Sequence, residues 1–259
     1  MFPGPGFWSA GSTGDASPAN LGLSNLHAWY DASDVSSLTV SAGSVDQWRD
    51  KSGNAFHLAG PTAGDRPIAT AQNGKAAVSF SAAASQWLEN AAAAVAFRNR
   101  QVYTVAVVWR AAPTSPPPTS TRWRVGNSAA GFPLLDGTHF YDNFYGGGEN
   151  YVEFERNSPS GRNAVFHQTA EYDGATRVFV MRANAAQIAI RRGAVDATAS
   201  STSTLTGDMN IMTLGCRYKQ NVREGFSNGV CCEVAVWLAD HWASRAGIHA
   251  HLKAKWGAE

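Results

Sequence analysis

The chain has 259 residues, a formal net charge of +1 and a charged fraction of only 16%. With no basic run longer than Arg191-Arg192, these values argue against nucleic-acid binding through a phosphate-neutralising patch. No segment approaches the roughly 18 consecutive apolar residues that a membrane-spanning helix needs, so we expect no membrane span.

The N-terminal segment, residues 1–20, is rich in Gly, Pro, Ser and Ala and carries the aromatic residues Phe2, Phe7 and Trp8. This composition predicts an extended arm rather than a core element. Because the segment lacks a basic region followed by a continuous apolar region, we do not expect a signal peptide. The aromatic residues suggest an anchor on a neighbouring subunit, and the alternative is a strand that lies on the same domain. We therefore expect an arm (1–20) and one domain (21–259).

From residue 21 onward, short β-like runs alternate with turn clusters. Residues 102–109 are the clearest strand, because they are almost all β-branched, apolar or aromatic. The prolines within 111–122 predict a loop, and Asp173-Gly174 predicts a hairpin turn. The other predicted strands are 26–30, 45–48, 76–80, 123–126, 151–156, 164–172, 177–182, 187–191, 209–217 and 230–238.

A helix is predicted only near the end of the chain. Ile248, Leu252 and Trp256 recur at a spacing of four, which places them on one helical face. Asp240 is the expected N-cap, and Gly257 is the expected C-terminal stop. Many short strands followed by one closing helix predict an all-β fold, a two-sheet antiparallel sandwich.

The three cysteines are Cys216, Cys231 and Cys232. Adjacent cysteines rarely bridge each other, although Cys216 could in principle pair with one of them. No CxxC spacing indicates a zinc site. We expect all three to be reduced and buried, since a free cysteine behaves as a small hydrophobic residue.

Several segments carry a resemblance to a known family: AWYDASD at 28–34, QWRDKSGN at 47–54, EVAVWL at 233–238 and KAKWG at 253–257. They resemble parts of the concanavalin A-like, laminin-G-like jelly-roll domains found in phage virion proteins and bacterial surface proteins. The resemblance spans 22–257 and implies two packed antiparallel sheets with jelly-roll connections, with a central hairpin at 171–180. It does not fix a function, because such folds host lectins, glucanases and structural modules.

Three glutamates suggest a glycoside hydrolase as one hypothesis. Glu149, Glu153 and Glu155 lie on or beside one strand, where a spacing of two places residues on the same face. Hydrolases of this kind need two carboxylates that flank the sugar bond. The glucanases of the resembled superfamily carry a Glu-x-Asp-x-Glu strand, and Tyr151 replaces the central Asp here. Because the match is partial, we predict no enzymatic activity.

A calcium site is a second hypothesis. Asp31, Asp34, Asp50 and Asn54 lie in two turns near the start of the domain, and calcium takes carboxylate and amide oxygens as ligands. Their spacing matches no defined calcium loop. The alternative is that these side chains close the turns and that Arg49 pairs with an acid.

An aromatic stretch suggests a contact patch for a glycan or a protein. Phe140, Tyr141, Asp142, Asn143, Phe144 and Tyr145 precede the run Gly146-Gly147-Gly148. Aromatic rings beside hydrogen-bonding side chains are suited to sugar or protein contact. The alternative is an aromatic strand that packs inside the domain.

Together these features favour a non-enzymatic phage virion protein, either a head decoration or fibre protein or a tail accessory protein. This hypothesis implies synthesis in the host cytoplasm, a final location in the virion, other virion proteins as partners and a homo-oligomer. The alternative is a carbohydrate-binding module for cell-surface glycans. A glycoside hydrolase is the third hypothesis, which would depend on Glu153 and Glu155.

Overall fold

The computed structural model describes most of the chain, and the statements below concern these residues. They are 18–113, 119–126, 137–145, 149–158, 161–168, 173–201, 209–219 and 222–259. Strands dominate, and all their pairings are antiparallel. Within these ranges, no helix is both long enough and apolar enough to cross a membrane.

The first sheet contains β8 (Tyr103–Ala111), which corresponds to the clearest predicted strand. In order across the sheet, its strands are β1 (Leu26–Asp31), β19 (Gly229–Trp237), β8, β13 (Thr176–Ala183), β14 (Gln187–Arg192) and β15 (Val195–Ser200). A further strand, β6 (Lys75–Phe80), continues the edge formed by β1, because it pairs with the start of β19. Every residue of β13 is buried, as are nearly all residues of β8, which fits a strand covered on both faces.

The second sheet faces the first. Its order is β7 (Leu88–Asn90), β16 (Ile211–Leu214), β9 (Thr119–Gly126), β10 (Gly137–Tyr145), β11 (Glu149–Ser158) and β12 (Gly161–Gln168). Aromatic pairs join the two sheets. The ring centroids of Phe140 and Phe179 are 5.0 Å apart, and those of Tyr103 and Phe154 are 6.4 Å apart. The fold is therefore the two-sheet jelly-roll sandwich that the sequence predicts.

Shorter elements complete the sandwich. They are β2 (Leu38–Ser41), β3 (Ser44–Trp48), β4 (Leu58–Ala59), β5 (Ile68–Gln72), the one-turn helix α1 (Ala92–Val95), and the hairpin of β17 (Arg217–Lys219) and β18 (Val222–Glu224). The short strands link the two sheets: β5 pairs with β6 of the first sheet, β4 pairs with β7 of the second sheet, and β3 pairs with both β5 and β4.

A β-bulge places a charged residue in the core between the sheets. Phe140 pairs with Trp123 and Tyr141 pairs with Thr121, so Arg122 is the extra residue on β9. Arg122 is fully buried, and its guanidinium lies 5.1 Å from the centroid of the Phe140 ring. Such a cation over an aromatic face is stabilising when it is removed from water.

The C-terminal helix α2 (Arg245–Trp256) closes the domain against β8 and β13. Ile248, Leu252 and Trp256 are buried as predicted. Gly257 ends the helix in the left-handed conformation with a φ of 59°, which confirms its predicted role. Asp240 is not the N-cap of this helix. Its carboxylate accepts a hydrogen bond from the backbone N–H of Trp242, in a 3₁₀ turn that precedes the helix.

The predicted hairpin at Asp173-Gly174 and the predicted extent of the proline loop need correction. Gly174 has the positive φ of a turn residue, but β12 and β13 lie in different sheets, so Asp173-Gly174 is not a hairpin turn. The resembled central hairpin is wrong for the same reason. The proline loop is shorter than predicted because β9 begins at Thr119. The last residues of the predicted arm join a 3₁₀ turn, Pro18–Leu21, that contacts α2.

The three cysteines are buried and free, as predicted. Burial raises the pKa of the Cys216 and Cys232 thiols well above the usual value. They therefore remain protonated and serve as small apolar residues in the interior.

Candidate functional site

A pocket of about 280 Å³ opens at the edge of the first sheet, beside the start of β1. We call it the edge pocket. Four chain segments meet there: the turn before β1, the loop after β3, the segment after α1 and the end of β19. The lining residues are Asn25, Leu26, His27, Asn54, Arg100 and Leu238. A concave surface with a few convergent polar groups and an apolar remainder is the usual form of a small-molecule site.

The loop that forms one wall of the edge pocket is held by Asp50. This carboxylate is buried and accepts hydrogen bonds from the backbone N–H groups of Trp29 (2.9 Å), Ser52 (2.9 Å) and Phe56 (3.0 Å). It also accepts one from the hydroxyl of Ser52 at 2.8 Å. Four donors on two oxygens fix the loop relative to β1, because a buried charge is stable only when it is well hydrogen-bonded.

Asn54 is oriented by the edge strand. Its Nδ2 donates to the carbonyl oxygens of Leu26 at 3.2 Å and His27 at 2.9 Å. Both amide hydrogens are therefore directed at the protein. The side-chain Oδ1 is the atom of Asn54 that can accept a hydrogen bond from a ligand.

His27 forms the buried part of the edge pocket. Its Nε2 lies 2.8 Å from the carbonyl oxygen of Ala93, which can only accept, so Nε2 carries the hydrogen. The imidazole packs 4.8 Å from the Phe56 ring and 5.7 Å from the Phe97 ring, measured between centroids. Burial lowers the pKa of His27 below its usual 6.5, against the opposing effects of Ala93 and Asp50. The ring is therefore neutral at neutral pH.

Arg100 supplies the charge of the edge pocket. Among the described residues that line it, this half-buried guanidinium carries the only formal charge once His27 is neutral. The Arg100 backbone N–H donates to the carbonyl of Phe97 at 2.9 Å, and Nε points to the carbonyl of Ala96 at 3.4 Å. The site has a positive centre, two amides and two leucines, which equips it to bind a small polar ligand.

The predicted calcium ligands fall into two separate hydrogen-bonding groups. Lys51 Nζ lies 3.2 Å from Asp31 and 2.9 Å from Asp34, so an ammonium group occupies the space between these carboxylates. The other two candidates, Asp50 and Asn54, hold the wall of the edge pocket. In the part of the chain that the structure describes, no group of three or more His, Cys, Asp and Glu residues is placed to hold a metal ion. The calcium hypothesis thus gains no support.

Among the described residues, Arg49 forms no ion pair with an acid, in contrast to the alternative interpretation. Its Nη1 approaches the carbonyl oxygen of Ser36 at 3.5 Å. Asp31 and Asp34 do close turns, as the same interpretation expects, because each accepts hydrogen bonds from the serine two residues later. These carboxylates therefore stabilise their turns through hydrogen bonds that require no metal ion.

Of the candidate glutamates on β11, Glu155 lies in a row of charged and polar residues that crosses the second sheet. Glu155 pairs in register with His139, which pairs with Arg124, and Arg124 pairs with Thr213. The row ends at Glu89, which receives two hydrogen bonds from Arg223 at 2.8 and 2.9 Å. The row shows that charged residues are stacked along this face of the sheet.

Burial distinguishes these glutamates from a hydrolytic pair. The exposed fraction is 0% for Glu153 and 2% for Glu155, and both make further polar interactions. A hydrolase needs both carboxyl groups open to the sugar bond. The side chain of Glu149 lies outside the described residues, so its predicted role stays a hypothesis.

The aromatic stretch forms β10 rather than a loop. Phe140 is fully buried and belongs to the core, so it is not part of an exposed contact patch. The side chains of Tyr141, Asp142, Asn143, Phe144 and Tyr145 lie outside the described residues, and their role in contact stays a prediction. The anchoring residues Phe2, Phe7 and Trp8 also lie outside them.

Sequence reasoning missed the lining residues other than Asn54. Asn25 precedes β1 and Arg100 follows α1, and neither lies in a segment that carries the family resemblance, while Leu238 ends the EVAVWL segment, which indicates only a strand. One local signal existed. His27 interrupts an otherwise apolar and aromatic run, and a buried polar residue of this kind often marks a structural or functional role.

No protein-family model matches the chain, and neither does any curated protein. Solved structures match it at low identity. Domain 4 of a GH43 extracellular arabinanase from Geobacillus stearothermophilus, in complex with arabinotriose, gives a TM-score of 0.57 at 14% identity. It covers 82% of this chain and 92% of that one.

Two further solved structures are similar. The CBM40 of a Ruminococcus gnavus IT-sialidase, bound to α2,3-sialyllactose, gives a TM-score of 0.50 at 18% identity, over 61% of this chain and 86% of that one. Tailspike protein 2 of the Escherichia coli O157:H7 bacteriophage CAB120 gives 0.53 at 12% identity, over 73% of this chain and 27% of that one. At these identities the likeness shows a shared β-sandwich fold, and it leaves the function to be argued from the site.

Proposed function

We propose that the chain is a non-enzymatic carbohydrate-binding domain that holds one sugar residue in the edge pocket. The observation that carries this proposal is the convergence of Asn25, Asn54 and Arg100 on one concave site beside Leu26 and Leu238. Amide and guanidinium groups hydrogen-bond to sugar hydroxyls, and the leucines provide an apolar surface for the C–H face of the ring. The volume of about 280 Å³ is slightly below the usual range of about 300–1,000 Å³ for ligand pockets, which suits a single sugar residue rather than a buried oligosaccharide.

Preorganisation supports this function. Asp50 holds the wall loop through four hydrogen bonds, and the strand carbonyls of Leu26 and His27 orient Asn54. The site needs little ordering when a ligand binds, so less of the interaction energy is lost. Two of the similar solved domains contain a sugar ligand, namely arabinotriose and sialyllactose, which makes sugars the first ligands to test.

A glycan array followed by calorimetric titration tests the proposal, with Asn25→Gly as the pocket variant. Asn25 has a φ of 60°, which glycine adopts without strain. Loss of one amide contact should weaken binding by about two- to tenfold, since a hydrogen bond contributes roughly 0.5–1.5 kcal/mol. Asn99→Gly is the matched control, because Asn99 has a φ of 55°, is exposed and does not line the pocket. Absence of any glycan ligand, or equal binding by both variants, would contradict the proposal.

A virion role is a second candidate, supported by the likeness to the phage tailspike, of which this chain matches about a quarter. In this proposal the domain assembles with other virion proteins as a homo-oligomer, and residues 1–20 attach it to the particle. The role is compatible with sugar binding, because a particle surface that contacts a cell meets glycans. Co-sedimentation with phage particles and light scattering test it. The full chain should bind and assemble, and a variant without residues 1–20 should remain free and monomeric.

A further inference from the structure

We infer that the edge pocket prefers a sugar that carries a carboxylate group, and that Arg100 is the residue that binds this carboxylate. The inference rests on the proposed function and goes further, because it names the chemical class of the ligand. It is drawn from the charge and hydrogen-bonding state of the lining residues.

The guanidinium of Arg100 has N–H donors that can bind a ligand. Its Nε is directed at the carbonyl of Ala96, at 3.4 Å, which leaves the two Nη nitrogens for a ligand. These nitrogens form the planar fork that binds a carboxylate through two parallel hydrogen bonds. The neighbouring backbone is fixed, because the Arg100 N–H donates to Phe97 at 2.9 Å.

No acidic side chain among the described lining residues competes for this guanidinium. Asp50, whose charge acts on His27 as that of Arg100 does, holds the wall loop and does not line the pocket. Its oxygens already accept hydrogen bonds from Trp29, Ser52 and Phe56. A half-buried cation with no acid among the described lining residues favours an anionic ligand, because partial burial reduces the screening of its charge by water.

His27 does not offer a second positive charge. It is neutral, and its Nε2 hydrogen is used by the Ala93 carbonyl. The preference for an anion should therefore depend on Arg100 alone. The amides of Asn25 and Asn54 would contact the hydroxyl groups of the same ring, so the neutral part of the ligand and its carboxylate are bound by different residues.

The test uses matched sugars that differ only at C6: methyl β-glucoside against methyl β-glucuronide, and methyl β-galactoside against methyl β-galacturonide. Affinities are measured by titration for the full chain, for Arg100→Gln and for Arg98→Gln. Arg98 is exposed, lies two positions away and does not line the pocket, so its variant makes the same charge change outside the site. We expect at least one acid to bind about tenfold more tightly than its neutral partner, a difference of about 1.4 kcal/mol.

Arg100→Gln should abolish the preference, and Arg98→Gln should retain it. Arg100→Lys should retain part of it, because lysine keeps the charge without the planar fork. The preference should also decrease as the salt concentration rises. Equal binding of acid and neutral sugar, with sensitivity to Asn25→Gly, would overturn this inference and leave the proposed function standing. Failure of every sugar on the array and in the titrations would overturn both.

Discussion

Lys255 on the C-terminal helix and Glu233 on the last strand form a buried ion pair, with 2.7 Å between Nζ and Oε2. Lys255 also lies 2.9 Å from Asp31 on the first strand. The indole N–H groups of Trp29 and Trp256 donate to the two oxygens of Glu233. One cluster of charged and indole side chains thus joins α2 to both β1 and β19. The edge pocket lies at the opposite end of the same first strand from Asp31.

The cluster should make stability depend on pH. Burial, with a further contribution from Asp31, raises the pKa of Glu233 from 4.5 to about 7. Because the pKa is higher in the folded state, the contribution of Glu233 is fully present below about pH 4.5 and is lost as the pH rises through about 7. The free energy of unfolding should therefore decline over this range in the wild type relative to Glu233→Gln. Urea unfolding of both proteins at several pH values measures this, and parallel pH curves would show that Glu233 does not titrate in this way.

Removal of the ammonium group should be costly. In Lys255→Met, two buried carboxylates lose their shared cation, and breaking a buried pair typically costs about 3–5 kcal/mol. Lys253→Met on the same helix is the matched control, because Lys253 is exposed and such surface changes usually stay within about 0.5 kcal/mol. Urea unfolding at pH 7 compares them. Equal stabilities of the two variants would mean that the buried pair contributes little.

Asp50 should matter for both stability and sugar binding. Asp50→Asn replaces one acceptor oxygen by an NH₂ group that faces donors, which should destabilise the protein by about 1–3 kcal/mol. Because the same loop carries Asn54, the affinity for sugar should fall at temperatures where the variant is still fully folded. Thermal unfolding and titration of the same sample separate the two effects. Wild-type affinity in the folded variant would show that the loop does not need Asp50 to form the wall.

Phe140 should behave as a core residue. It is fully buried, 5.0 Å from Phe179 and beneath the guanidinium of Arg122. Phe140→Ala should cost about 3–5 kcal/mol, the usual range for removal of a buried aromatic ring. Urea unfolding gives the cost directly. A variant of unchanged stability that has lost glycan or particle binding would instead support the exposed aromatic patch.

The architecture was largely predictable because local patterns determine it. The apolar run of β8, the helical spacing of Ile248, Leu252 and Trp256, and the stop at Gly257 each act over a few residues. Predictions of local structure were wrong where pairing between strands that are far apart in the sequence overrides a local turn signal. Asp173-Gly174 forms a turn as its type demands, yet β13 pairs with β8 rather than with the strand before the turn.

The candidate site was much less predictable. Its lining residues come from four segments that only the fold brings together, and the segments QWRDKSGN and EVAVWL, which contain Asn54 and Leu238, indicate the fold rather than a ligand site. Asp50 and Asn54 were noticed as metal ligands because carboxylates and amides in turns have that chemistry. In the structure, the carboxylate oxygens of Asp50 and the amide nitrogen of Asn54 instead form hydrogen bonds with the backbone of β1 and, for Asp50, with the backbone of the loop that contains it. The residue types thus drew attention to the loop that contains Asp50 and Asn54, and only the structure shows which hydrogen bonds these two residues form.

Sugar binding in the edge pocket is tested most directly by mapping backbone amide NMR shifts on addition of the glycan that the array ranks highest. We expect the largest shifts at Asn25, His27, Asn54, Arg100 and Leu238, and we expect them to saturate with one dissociation constant. Shifts concentrated instead on β10 and β11, with the pocket amides unchanged, would contradict sugar binding in the edge pocket and place recognition on the second sheet.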